Sequence, residues 1–153
     1  MGRTTRNARR IVEFMIESEQ GFFKLYLKYS RIFPNSEFWL ELARQENIHA
    51  EWLKALLESS DVEKIGTEIA PPVFIGAMNL SLKKEIDSKE EISLPVALAK
   101  VMYLENTFLE NRYLDIFHGN AKSVQDIITR LVHDGKKHRA MIEDEIVKYH
   151  EKV

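Results

Sequence analysis

The chain of 153 residues contains no cysteine. This absence excludes disulfide bonds, thiolate zinc sites, iron–sulfur clusters and cysteine nucleophiles together. A reducing compartment suits a chain without thiols, so we expect a cytoplasmic protein.

The sequence also lacks a strong excess of charge and any long apolar run. Its formal net charge is −2, so the molecule as a whole has no attraction for nucleic acid or an anionic membrane. The basic residues 3–10 precede a stretch that Glu13, Glu17 and Glu19 interrupt, so we expect no targeting segment. No window approaches the length of a membrane span. We therefore predict that neither nucleic acid nor a membrane is a partner.

Helical periodicity is the main positive signal. With 44% hydrophobic residues, the length fits a single domain over residues 1–153. Apolar residues recur at helical spacing in four long segments, and no apolar alternation persists that would indicate a strand. The segments are about 5–32, 37–59, 94–117 and 123–149.

The connections between these segments indicate the topology. Pro34 ends the first helix and Ser36 is the predicted N-cap of the second, which makes an antiparallel hairpin. Residues 60–93 predict a long crossover, interrupted at Pro71-Pro72 and containing a short helix over about 74–86. His118-Gly119-Asn120 ends the third helix, and Ser123 is the predicted N-cap of the fourth. The prediction is an all-α, four-helix antiparallel bundle with one long crossover and an extra short helix within it.

A helical wheel places three glutamates and two histidines inside the apolar stripes of these helices. They are Glu19 on the first helix, Glu46 and His49 on the second, Glu105 on the third and His138 on the fourth. Glu13, Glu17 and His133 point away. Folding each hairpin brings Glu19 level with Glu46, and Glu105 level with Gly135, so we expect one polar layer in the core.

A structural interpretation of these residues stays open. A lone Glu-x-x-His step such as Glu46 to His49 often arises by chance, and a single core histidine is usually just hydrogen-bonded. Three inward glutamates are harder to explain, because an unpaired buried carboxylate costs several kcal/mol out of a total stability of about 5–15 kcal/mol. Such a layer needs a cation, protons or an arginine. Arg112, two turns after Glu105 on the same face, is the arginine that can reach it, although it can equally reach solvent.

With this pattern the chain resembles the ferritin-like superfamily, and within it the rubrerythrin-like proteins. The resemblance covers essentially the whole chain, most closely in its first half. It is carried by Glu19 in Glu-Ser-Glu-Gln-Gly-Phe-Phe-Lys-Leu-Tyr, by Glu46 and His49 in Arg-Gln-Glu-Asn-Ile-His-Ala-Glu, by the run from Ile92 to Glu105, and by His138.

The resemblance implies a core metal site, most simply two irons, with a single metal, manganese or zinc as alternatives. Its ligands would be Glu19, Glu46, His49, Glu105 and His138. The implied activity is peroxide reduction or ferrous oxidation. An external electron donor is implied because the rubredoxin-like four-cysteine module of full rubrerythrins is missing. The family also implies a homodimer, for which an exposed apolar residue such as Phe14 would serve.

Two departures from the family pattern leave a second hypothesis open. The fourth glutamate ligand would fall at Gly135, where Asp134 is the nearest substitute. The tyrosine expected seven residues after Glu105 is displaced to Tyr113, which leaves Arg112 facing inward. The alternative to an enzyme is therefore a degenerate, non-catalytic ferritin-like module that binds one metal or none, with Arg112 replacing the second cation.

Overall fold

A computed structural model describes residues 2–59, 62, 72–110 and 122–151, which form five α-helices and no strand. The helices are α1 (Gly2–Ile32), α2 (Ser36–Glu58), α3 (Pro72–Asp87), α4 (Leu94–Glu110) and α5 (Lys122–Glu151). The predicted all-α class is therefore confirmed, with the short crossover helix as α3. The ferritin-like topology stays a prediction. Residues 111–121, with Arg112, Tyr113 and the predicted end of the third helix, lie outside the described residues.

The predicted N-caps were wrong. Asn35, not Ser36, is the N-cap of α2, but its side-chain oxygen accepts a hydrogen bond from Trp39 Nε1 (2.9 Å) instead of capping the helix. Ser123 lies inside the first turn of α5, which begins at Lys122. At α4 the capping residue is Ser93, whose hydroxyl accepts from the Val96 amide (3.4 Å) and whose carbonyl accepts from Ala97 (2.9 Å).

Two separate apolar clusters form the core. The first cluster combines the amino-terminal halves of α1 and α5 with the carboxyl-terminal half of α2, and includes Met15, Leu53 and Leu131. The second combines the opposite ends of these helices with α4, and includes Phe22, Leu42, Leu98 and Ile142. Because α1 and α2 enter the clusters in opposite order, they run antiparallel, as predicted. Between the two clusters lies a layer of polar side chains.

Helix α3 packs along α1. Gly21 permits a close approach, since a Cβ there would lie 3.1 Å from Leu82 Cδ1. Asn79 Nδ2 donates to the Phe14 carbonyl (3.0 Å), and Lys28 Nζ donates to the carbonyls of Glu85 and Ser88 (both 2.7 Å) at the end of α3. These contacts hold the crossover helix α3 against α1.

The surface bears on two further expectations. None of the described helices is both long and apolar enough to cross a membrane. Phe14 is half-buried against the first apolar cluster, with the Arg10 guanidinium 5.4 Å from its ring centroid, so the prediction that it is exposed was wrong. The exposed large apolar side chains of the described residues are Ile32, Leu40, Leu80, Val96, Tyr103 and Val147. The homodimer stays a prediction.

Candidate metal centre

The polar layer contains all five side chains that the sequence places inward. Glu19, Glu46, His49, Glu105 and His138 each expose 5% of their surface or less. They come from α1, α2, α4 and α5, and the i, i+3 spacing of Glu46 and His49 puts both on one face of α2. The prediction of a single inward layer is confirmed, and Glu13, Glu17 and His133 are exposed as expected.

The five side chains form two groups that share Glu46. Glu19, Glu46 and His49 make one group, and Glu46, Glu105 and His138 make the other; in each, one potential ligand atom per residue lies within 4.8 Å of the rest. Glu46 Oε2 lies 3.4 Å from His49 Nδ1, while its Oε1 lies 2.8 Å from His138 Nδ1. One carboxylate thus directs its two oxygens to two different histidines, which is the geometry of a bridging ligand.

The terminal carboxylates complete each group. Glu19 Oε2 lies 3.6 Å from His49 Nδ1, and Glu105 Oε1 lies 3.4 Å from His138 Nδ1. Tyr26 donates from its buried hydroxyl to Glu105 Oε1 (2.6 Å), across from α1 to α4. Burial and the nearby carboxylates raise the pKa of Tyr26, so it remains a proton donor. This hydrogen bond holds the Glu105 carboxylate in place.

The Nε2 atom of each histidine is hydrogen-bonded to a residue on the helix that carries the other histidine. His49 Nε2 donates to Asp134 Oδ2 (2.9 Å), and His138 Nε2 donates to Gln45 Oε1 (2.6 Å). Acceptors on the outer nitrogen fix the ring and aim the other nitrogen, here Nδ1, at a metal position. Asp134 therefore does not substitute for the missing ligand at position 135: it lies behind His49 and orients it.

These two partners were missed by sequence reasoning, although a signal was available. Gln45 and Asp134 occupy the same place in their motifs, immediately before Glu46 and Gly135 and four residues before a histidine. A polar residue at the same register of both motifs is the pattern expected of side chains that support ligands rather than serve as ligands.

Raised pKa values keep protons on three side chains of the layer, Glu19, His49 and His138. Burial and the neighbouring Glu46 carboxylate raise the pKa of Glu19 to about 8. Burial also acts to raise the pKa of Glu46, but hydrogen bonds from Glu19, His138 and His49 lower it overall. One proton is thus held between the two carboxyls, on Glu19.

Both histidines are charged in the same way. Burial acts to lower the pKa of His49, but hydrogen bonds to Glu19 and Glu46 raise it to about 11. Hydrogen bonds to Glu105 and Glu46 likewise outweigh burial and raise the pKa of His138 to about 10. Two imidazolium rings, stacked with centroids 5.4 Å apart, therefore face the carboxylates of Glu46 and Glu105. A metal ion that bound at Nδ1 would displace the proton from each ring.

Gly135 lies buried on α5 three residues before His138, so the chain offers no side-chain ligand there. Arg112, the predicted alternative source of positive charge, lies outside the described residues.

No family model, curated protein or solved structure matches this chain. The geometry alone defines its class: an all-helical protein whose buried glutamate and histidine cluster can hold a metal ion.

Proposed function

We infer that the chain is a rubrerythrin-like metal protein that holds iron at Glu19, Glu46, His49, Glu105 and His138 and there reduces peroxide or oxidises ferrous iron. The observation that carries this proposal is Glu46, whose two oxygens face two separate histidine-containing groups. Paired carboxylate and histidine sets from facing helices are the arrangement used by ferritin-like two-metal proteins. Carboxylate with imidazole suits iron, with manganese or zinc as alternatives.

Each side chain has a definite task in this proposal. Bound iron would supply one-electron chemistry toward peroxide or oxygen. Glu46 would be the ligand shared by the two groups, while Asp134 and Gln45 hold the rings of His49 and His138 with Nδ1 facing the carboxylates. The apolar clusters on either side exclude bulk water, which strengthens every charge interaction in the layer.

The test is oxidation of bound ferrous iron by a measured amount of peroxide. Two ferrous ions and two protons reduce one peroxide to two waters, so iron oxidised and peroxide consumed should stand at two to one. Glu19→Gln should slow the reaction strongly, while Glu13→Gln, an exposed position on the same helix, should leave it unchanged. Oxidation no faster than that of free ferrous iron, or unaffected by Glu19→Gln, would contradict the activity.

The second candidate is a non-catalytic module that binds one metal or none. It is favoured by the positive charge already present in the layer: the raised pKa values of His49 and His138 keep both rings protonated beside Glu46, and the raised pKa of Glu19 keeps that carboxyl neutral. The buried Glu46 carboxylate is therefore compensated without metal. The role of Arg112 as a substitute cation stays a proposal. If ferrous ion leaves the unfolding temperature unchanged, this candidate is favoured, since a ligand of the native state raises that temperature.

The enzyme proposal includes a separate electron-donor protein. The chain has no cysteine, so it cannot supply a four-cysteine iron site of its own. A homodimer is proposed from the resemblance alone, and sedimentation equilibrium would test it.

A further inference from the structure

A second place in the fold, separate from the polar layer, has the features of a ligand site. A cavity of about 330 Å³ lies where the end of α3 and the start of α4 meet α1. None of the five metal-ligand candidates lines it. Ligand pockets in proteins measure about 300–1,000 Å³, so this cavity is large enough for a small molecule.

Tyr29 lines the cavity and carries a buried hydroxyl without a partner. The residue is 1% exposed, and its hydroxyl makes no hydrogen bond within the part of the chain that the structure describes. Burial and the charge of Glu85 raise the pKa of Tyr29, so its hydroxyl keeps the proton. A buried O–H group without an acceptor is unfavourable, so an acceptor supplied by another molecule would be stabilised here.

Two half-buried lysines line the same cavity and have donors to spare. Lys28 Nζ donates to the carbonyls of Glu85 and Ser88 (both 2.7 Å), and Lys100 Nζ donates to the two carboxylate oxygens of Glu85 (3.0 and 2.9 Å). An ammonium group has three N–H donors, and these contacts among the described residues use two on each lysine. Together with Tyr29, the lysines offer three donors to a group that only accepts, such as a carboxylate.

The remaining charged residues of the lining give the cavity two regions of opposite sign. The half-buried Lys28 and Lys100 contribute +2 and Glu85 contributes −1, which leaves +1 inside. The exposed Glu90 and Glu91 form an acidic rim that contributes −2. A simple anion would meet repulsion at this rim, and a simple cation would meet it inside. A molecule that carries both charges at separate ends matches both regions.

We propose that the cavity binds a small zwitterion with a carboxylate at one end and an ammonium group at the other, the class of the linear ω-amino acids. The carboxylate lies inside, where it accepts from Tyr29 and the two lysines. The ammonium group lies at the acidic rim. This site goes beyond the proposed metal chemistry and does not depend on it.

The experiment is a calorimetric titration of the metal-free full chain with 3-aminopropanoate, 4-aminobutanoate and 5-aminopentanoate. Each is compared with the carboxylate and with the amine of the same length, for example pentanoate and pentylamine. We expect at least one ω-amino acid to bind about tenfold more tightly than either matched compound, since each of these lacks one charged partner.

Variants locate the binding in this cavity. Tyr29→Phe keeps the ring that packs against Trp39 (5.1 Å between centroids) and removes only the hydroxyl, so it should leave thermal stability unchanged or raised and weaken the ω-amino acid by about tenfold. Tyr103→Phe, at an exposed tyrosine of α4, is the matched control and should change neither. Glu90→Gln combined with Glu91→Gln should reduce the affinity for the ω-amino acid to that for its matched carboxylate.

Three results would overturn the inference. The first is no binding of any ω-amino acid at millimolar concentration. The second is a matched carboxylate or amine that binds as tightly as the ω-amino acid, which would mean a site for a simple anion or cation. The third is an affinity that neither Tyr29→Phe nor the double glutamate variant changes. Since all titrations use metal-free protein, none of these results bears on the proposed metal centre.

Discussion

Glu46 is the residue on which the candidate centre depends. It is 2% exposed and faces both His49 and His138, one with each oxygen. Glu19 and Glu105, by contrast, each belong to one group only. The consequences of losing a carboxylate should therefore differ between the shared position and the terminal ones.

Substituting these carboxylates should separate the two groups. Glu46→Gln should weaken both metal equivalents, whereas Glu19→Gln should weaken mainly one, each by more than about tenfold. Calorimetric titration with Co(II) measures this difference, with Glu13→Gln as the matched control. If Glu46→Gln affects a single equivalent, Glu46 does not bridge.

The stability of the metal-free protein should depend on pH in a definite direction. The pKa values of His49 and His138 are raised to about 11 and about 10, so their contribution is complete below the unfolded value near 6.5 and disappears as pH rises through the folded values. The raised pKa of Glu19, about 8, acts in the same direction between about 4.5 and 8. Thermal unfolding should occur at a lower temperature at about pH 9 than at about pH 6.

Metal affinity should change in the opposite sense, rising with pH, because the ligands must lose their protons. His133→Ala, at an exposed position of α5, is the control that should keep both dependences. A metal-free protein more stable at pH 9 than at pH 6 would contradict the assignment of protons to the layer.

Some of these residue roles could be predicted from the sequence and others could not. The inward positions of all five ligand candidates follow from helical period alone, because 100° per residue fixes the face. The bond from Tyr26 to Glu105 and the crossed support of His49 by Asp134 depend on which helices are neighbours. Periodicity within one helix carries no information about that.

At the scale of the helices, α3 is the element whose role the sequence left open. Its packing on α1 depends on Gly21, which lies against Leu82. At Gly76 on α3, by contrast, a Cβ would have no atom of the described residues within 4 Å. The two glycines therefore differ in the space available to a side chain.

Alanine at these two glycines should have unequal effects on stability. Gly76→Ala should stabilise the protein by about 0.5–1 kcal/mol, because alanine loses less conformational entropy in a helix. Gly21→Ala should gain less or lose stability, because its methyl would press on Leu82 at 3.1 Å. Denaturant unfolding of the two variants measures both. Equal gains would mean that α3 is not held closely against α1.

Helix existence was predictable from the sequence, but helix ends were not. Long apolar stripes identify α1, α2, α4 and α5, since no other structure has their period, and a shorter amphipathic stretch indicates α3. The cap at Ser36 failed because Asn35, one residue earlier, occupies that position and uses its side chain to bind Trp39. A prediction from local cap preferences takes no account of such a side-chain contact.

For the whole molecule, the main feature is a polar layer between two apolar clusters. Ligand candidates on α1, α2, α4 and α5 meet there, so a bound ion would join helices that are far apart in the sequence. Binding to the native state raises stability by mass action. Ferrous or manganous ion should therefore raise the unfolding temperature, and the rise should be lost in His138→Ala but kept in His133→Ala.

Metal content per chain tests the central claim most directly. The protein is loaded anaerobically with ferrous iron, desalted and measured by elemental analysis, beside Glu46→Gln and Glu13→Gln. We predict two iron ions per chain in the wild type and in Glu13→Gln, and a large loss of both in Glu46→Gln. Only trace iron in the wild type, or an iron content that Glu46→Gln does not change, would contradict a two-metal centre bridged by Glu46.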